Sequence, residues 1–165
     1  MKSTLATILV VMSCLAGSAP VHDESVVMER LSKLIGGKWV GTAGSGPNAA
    51  AIEFTFKRHP DKKGIVGEGI IGKGSANPVY ADVTLGWDAK AGKVYYLDLH
   101  NTSTIYYGHI VPDGEGLLYE FGVLGGDLKA FRIRDRFLDA DTQESDILDK
   151  DGKSIVKVVR KRVRE

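Results

Sequence analysis

The chain has 165 residues, with 22 Lys and Arg against 21 Asp and Glu, 43% hydrophobic residues, 20 glycines and one cysteine. A near-balanced charge excludes the domain-wide basic footprint of a nucleic-acid-binding protein. A single cysteine excludes a disulfide framework, and the length suits one domain with its own core.

The first segment, MKSTLATILVVMSCLAGSAP, has Lys2, an apolar run from Leu5 to Met12 and then small residues, the layout of a secretory signal. The run falls well short of the roughly 20 residues that a membrane-spanning helix needs. Cleavage fits after Ser18 or Ala19, so residues 1–19 are expected to be removed from an exported, periplasmic or secreted protein whose single domain covers 20–165. The same segment allows a second outcome. Val11-Met12-Ser13-Cys14 resembles a bacterial lipoprotein box, in which Cys14 becomes a lipidated first residue and a membrane anchor. Loss of Lys2 leaves 21 basic and 21 acidic residues, a mature net charge of zero.

After this segment, Val27, Leu31, Leu34 and Ile35 recur at helical spacing behind the capping residues Asp23-Glu24-Ser25, and Gly36-Gly37 supplies a stop, which predicts a short helix over 24–35. From there the hydrophobic period changes to two. AIEFTFK (51–57) alternates Ile52, Phe54 and Phe56 with Glu53, Thr55 and Lys57, a strand with one buried face. Turn-forming separators such as HPDKKG (59–64), GKGSANP (72–78), DAKAG (88–92), PDGEG (112–116) and DKDG (149–152) divide the remainder into strand after strand. With GKWVGTA (37–43) the total is about ten. Short connections predict antiparallel neighbours in a meander, and so many strands in one small domain hide their edges by closing. The expected fold is all-β: an antiparallel up-and-down barrel of about ten strands, with a short N-terminal helix capping or plugging it.

LSKLIGGKWVGT carries a GxWxG pattern at Gly37, Trp39 and Gly41. It resembles the start of calycin-type barrels, the superfamily of lipocalins, fatty-acid-binding proteins and nitrobindins, in which a Gly-x-Trp on the first strand follows a short helix and closes the barrel bottom. GWDAKAGKVYYLDLHNTSTIYYGHIVPDG (86–114) and FRIRDRFLDADTQESDILDKDGKSIVKVVRKR (131–162) are similar to the middle and end of secreted, lipocalin-like bacterial domains of unknown function. The resemblance implies that a basic side chain of the last strand packs across Trp39, with Arg160 and Arg162 as candidates. It implies no haem of the nitrobindin kind, since no histidine follows His109.

Candidate chemistry is sparse, and each candidate has two readings. Asp98 and His100 are two apart on a strand and share a face, an arrangement open to general-base work or to a structural pair. Ile105, Tyr107, His109 and Val111 form the set expected to face inward on the next strand, with His109 either a ligand contact or a core histidine. Tyr95, Tyr96, Tyr106, Tyr107 and Tyr119 form an aromatic band. Its inward members either line a small-molecule pocket or fill a core. The pocket reading places Tyr96, Tyr107, His109 and Tyr119 at the ligand, with no cofactor and no metal. GEGIIG (67–72) matches GxGxxG without a following helix, so its glycines are read as bends at a barrel corner. The expected function is binding of a small apolar or amphipathic molecule inside the barrel. The alternatives are an enzyme using Asp98, His100 and His109, or an interaction module with a filled core.

Overall fold

The computed structural model describes residues 24–61 and 63–164. The expected signal over 1–19, Cys14 with its lipidation alternative, the capping residue Asp23 and the domain start at residue 20 lie outside them. Helix α1 (Glu24–Ser32) is followed by ten strands: β1 (Lys38–Ala43), β2 (Ala50–Arg58), β3 (Ile65–Ile71), β4 (Val79–Asp88), β5 (Lys93–His100), β6 (Ile105–Asp113), β7 (Gly116–Val123), β8 (Phe131–Phe137), β9 (Thr142–Asp149) and β10 (Ser154–Val163). Each strand pairs antiparallel with its sequence neighbours, and β1 pairs with β10 to close the barrel. The up-and-down architecture with a short helix is therefore present, and closure removes the exposed edges that an open sheet would leave.

Helix α1 carries Glu24 in its first turn and Arg30 in its last, charges that complement the helix dipole at both ends. It stops three residues earlier than the periodicity predicts. Lys33, Leu34 and Ile35 instead donate to carbonyls three residues back, tightening the chain before Gly36 and Gly37 turn it with φ of 88° and 74°. This places Val27, Leu31 and Leu34 in the core against one end of the barrel. Arg30 Nη1 donates to the Gly116 carbonyl, tying the helix to the β6–β7 turn at that end. Among the described residues no helix is long and apolar enough to cross a membrane.

The glycines of GEGIIG have a packing role more specific than a bend. Gly67 pairs with Phe56 and Gly69 with Phe54 across β2–β3, and a Cβ at either glycine would overlap the opposing ring. The two rings stack 6.0 Å apart over a glycine pair that leaves room for them.

Candidate functional site

The closed end is built from the GxWxG segment. Trp39 is fully buried, and its indole Nε1 donates to the Leu34 carbonyl at 2.8 Å, satisfying a helix-end acceptor and the ring's own donor together. Its partner across the β1–β10 ladder is Arg162, whose guanidinium lies 4.5 Å from the ring centroid. Arg162 also donates to the carbonyls of Ile35 and Lys33, so one side chain covers the indole and caps the chain behind the helix. A Cβ at Gly37 would meet Arg162 and the Val163 carbonyl, and one at Gly41 would meet Arg160 and the Val159 carbonyl. Both glycines permit β1 and β10 to approach here. The two arginines divide their work: Arg162 covers Trp39, whereas Arg160 reaches into the lumen, 5.9 Å from the Phe54 centroid.

Above this plug lies a cavity of about 310 Å³. Its walls are largely apolar, with Phe54, Phe56, Phe121 and Phe131 among branched aliphatics such as Ile52, Val83 and Ile147. Leu34 borders it on the helix side. At the opposite strand ends Ile71, His100, Tyr106 and Phe131 border it and are partly exposed, so the lumen reaches solvent there.

A polar band crosses this apolar space. On β5 the Tyr96 hydroxyl donates to Asp98 Oδ2 at 2.7 Å, and His100 Nε2 lies 3.1 Å from the same oxygen. The Tyr96 ring meets Tyr119 edge-on at 5.6 Å, and the Tyr119 hydroxyl lies beside the Asp135 carboxylate of β8. Gln143 Nε2 donates to Asp135 Oδ2 at 2.8 Å, Arg160 Nη2 stands 3.9 Å from that oxygen, and the same Nη2 donates to Ser145 Oγ at 2.7 Å. Burial pushes the Asp135 carboxyl up from its ordinary value, with Arg160 opposing. Burial and then the neighbouring carboxylates, Asp98 for Tyr96 and Asp135 for Tyr119, push both tyrosine hydroxyls well up, keeping them neutral donors. Asp98 Oδ1, Asp135 Oδ1, Gln143 Oε1 and Arg160 Nε are buried without a hydrogen-bond partner. Such groups are costly in a protein interior and rare without a reason.

Of the residues expected at a ligand, Tyr96 and Tyr119 border the lumen and meet each other. Tyr107 and His109 do not: the set Ile105, Tyr107, His109 and Val111 faces outward, and the expectation that it faces in is corrected. Register supplies the reason. Val94, Tyr96 and Asp98 point inward on β5 and pair with Ile110, Gly108 and Tyr106, and paired residues share a face. The inward set on β6 is therefore Tyr106, Gly108 and Ile110. On the outer side Tyr107 and His109 gather around Asp88, at 3.3 and 3.5 Å from its Oδ2. Asp98 and His100 thus share the lumen while His109 lies across the barrel wall, and the three do not converge.

Sequence reasoning missed Asp135, Gln143 and Ser145, named Tyr106 in the aromatic band without placing it at the ligand, and assigned Arg160 to closure alone. A signal for Asp135 was available: FRIRDRF places Phe131, Ile133, Asp135 and Phe137 on one face and three arginines on the other, so one carboxylate interrupts an apolar face. No family model and no curated protein sequence matches the chain. The closed ten-strand barrel with its short helix is consistent with a calycin-like architecture.

Proposed function

We propose that this chain is an exported, calycin-type binding protein that holds one small apolar or amphipathic molecule in its barrel. The observation that carries the reading is a lumen of about 310 Å³ with apolar walls and a few convergent polar side chains, at the lower end of the 300–1,000 Å³ typical of ligand sites. Small antiparallel barrels stand near the size where side chains either fill the interior or leave room for one ligand. The first-strand Trp39 under the last-strand Arg162 supports the calycin assignment, because it matches what the GxWxG resemblance implies. Export rests on the first nineteen residues alone, and mass measurement of the mature N-terminus tests it together with lipidation at Cys14.

Native mass spectrometry of protein purified from its source tests the binding reading. The expected result is a non-covalent adduct lost on denaturation, together with uptake of the neutral apolar dye N-phenyl-1-naphthylamine by the stripped protein. Enlarging Val83, which borders the lumen, to Phe is expected to reduce dye uptake without unfolding the barrel. A protein that neither carries an adduct nor takes up dye has a filled interior, and the interaction-module alternative then replaces this reading.

A further inference from the structure

The two lumenal carboxylates are not equally provided for. Asp135 has Arg160 at 3.9 Å and Gln143 at 2.8 Å. Asp98, only 6% exposed, has no Lys or Arg within ion-pair distance among the described residues; the His100 imidazole is its neighbour at 3.1 Å. Both hydrogen bonds it accepts, from Tyr96 and His100, fall on Oδ2, and Oδ1 is left buried and unpartnered. Tyr106 is the cross-strand partner of Asp98, with its centroid 5.9 Å from Phe121, and Phe121 is 5.3 Å from Tyr96.

A carboxylate in an apolar interior is unfavourable unless a counter-charge and hydrogen bonds satisfy it. Aromatic rings attract a cation through their π density, most strongly where water is excluded. An ammonium group meets both requirements, since it is compact, positively charged and carries several donors. A ligand carboxylate would meet like charge at Asp98. An alcohol would offer one donor and leave the charge unbalanced. The Arg160 charge is offset by Asp135 at 3.9 Å, and its Nη2 is engaged by Ser145. Beyond Asp98 the lumen is bordered by Ile52, Phe54, Val83 and Ile147, a wall suited to hydrocarbon.

Resting on the ligand-binding reading above, we propose that the barrel's ligand is an amphipathic amine, with its ammonium group held by Asp98 among Tyr96, Tyr106 and Phe121 and its hydrocarbon body against the apolar wall. The test compares octylamine, 1-octanol and octanoate, which share a chain and differ at the head. Each is titrated calorimetrically into the stripped full chain at pH 8, where an ordinary alkylamine is charged. N-phenyl-1-naphthylamine reports independently whether the lumen admits an apolar molecule. Octylamine is expected to bind about tenfold or more tighter than 1-octanol, the gain of a charge-assisted contact with ring stabilisation, and octanoate more weakly than either. Asp98→Asn is expected to bring octylamine within about threefold of 1-octanol, because the loss falls on the charged head far more than on the hydroxyl. If Asp98→Asn does not fold, Tyr106→Leu replaces it and is expected to weaken octylamine more than 1-octanol. If dye and alcohol enter but octylamine binds no tighter, or if its preference survives Asp98→Asn, this proposal is overturned and the container reading stands. If neither dye nor any of the three binds, the container reading fails, and the amine proposal with it.

Discussion

Replacing Trp39 by Phe tests the closed end at its centre. The indole is 0% exposed, bonded to the Leu34 carbonyl at 2.8 Å, covered by Arg162 and met edge-on by Phe137 at 5.9 Å. Phenylalanine keeps a ring face for the guanidinium and removes part of the bicycle together with its N–H. The missing ring atoms and the gap they leave correspond to about 1–2 kcal/mol. The Leu34 carbonyl, left buried without its donor, adds about 1–3 kcal/mol. A total of about 2–5 kcal/mol is a large share of the roughly 5–15 kcal/mol by which a domain is stable. In urea unfolding followed by far-UV circular dichroism, the midpoint is expected to fall with an unchanged m-value. Thermal unfolding is expected to drop by about 3 °C for each kcal/mol lost in a domain of this size. Trp87 is only partly buried, so Trp87→Phe supplies the control and is expected to lose less. A loss below about 1 kcal/mol at Trp39, or one no larger than at Trp87, would refute the argument that the indole and its bond seal the barrel.

Three further outcomes follow from the same geometry. Arg162→Lys is expected to cost about 1–2 kcal/mol, because an ammonium lacks the planar fork that covers Trp39 and reaches two carbonyls; a double-mutant cycle with Trp39→Phe should give a coupling of about 0.5–1 kcal/mol, and strict additivity would deny the stack. Gly69→Ala should destabilise by about 1–3 kcal/mol in urea titration, since its Cβ would overlap the Phe54 ring, and a neutral result would mean that Phe54 moves freely. For Asp135, burial raises the folded-state pKa above the unfolded value near 3.8, so in the window just above that value the native state binds more protons than the unfolded state. Wild-type stability relative to Asp135→Asn is therefore expected to fall as pH rises through that window. A relative stability that rises with pH there would reverse the assignment.

Closure and strand count were legible because they are written in period-two alternation and in turn residues, which act locally. The ten strands of the barrel match the number that the alternation and the turn residues predict. The Trp39–Arg162 contact was legible only through the resemblance, and only as one of two arginines; the ladder resolves it by placing Arg162 opposite Trp39. The face of β6 was misread for a physical reason. Both faces of IYYGHIVPD carry apolar and aromatic residues, so hydrophobicity does not distinguish them, and the inward face includes Gly108, which has no side chain to announce it. Gly108 faces inward because Tyr96 and Phe121 flank it across the ladders, and a Cβ there would strike Phe121 and the Glu120 carbonyl. That information belongs to β5 and β7. The polar band was missed likewise, since Asp135, Gln143 and Arg160 come from three strands and meet only once the barrel is closed.

The unevenness of the interior argues that the band exists for something other than stability. At the closed end the indole donor and the carbonyls behind the helix are paired, and Arg162 Nε, buried there without a hydrogen bond, lies 3.4 Å from Asp141 Oδ1. In the lumen, four polar atoms of Asp98, Asp135, Gln143 and Arg160 are left unpaired within an apolar wall that leucines would fill at lower cost. Sites that bind are commonly destabilised relative to what the fold permits. Asp98→Asn separates the two roles. Asparagine with its oxygen in the place of Oδ2 still accepts from the Tyr96 hydroxyl and from His100 Nε2, and removes a buried charge that has no Lys or Arg partner within ion-pair distance among the described residues. The unliganded variant is therefore expected to be as stable as the parent or up to about 2 kcal/mol more stable in urea. A structural role would show the opposite sign. A loss above about 2 kcal/mol would mean that the Asp98 charge holds β5 and its neighbours together, and the excess of acceptors in the lumen would then be a feature of folding and not of recognition.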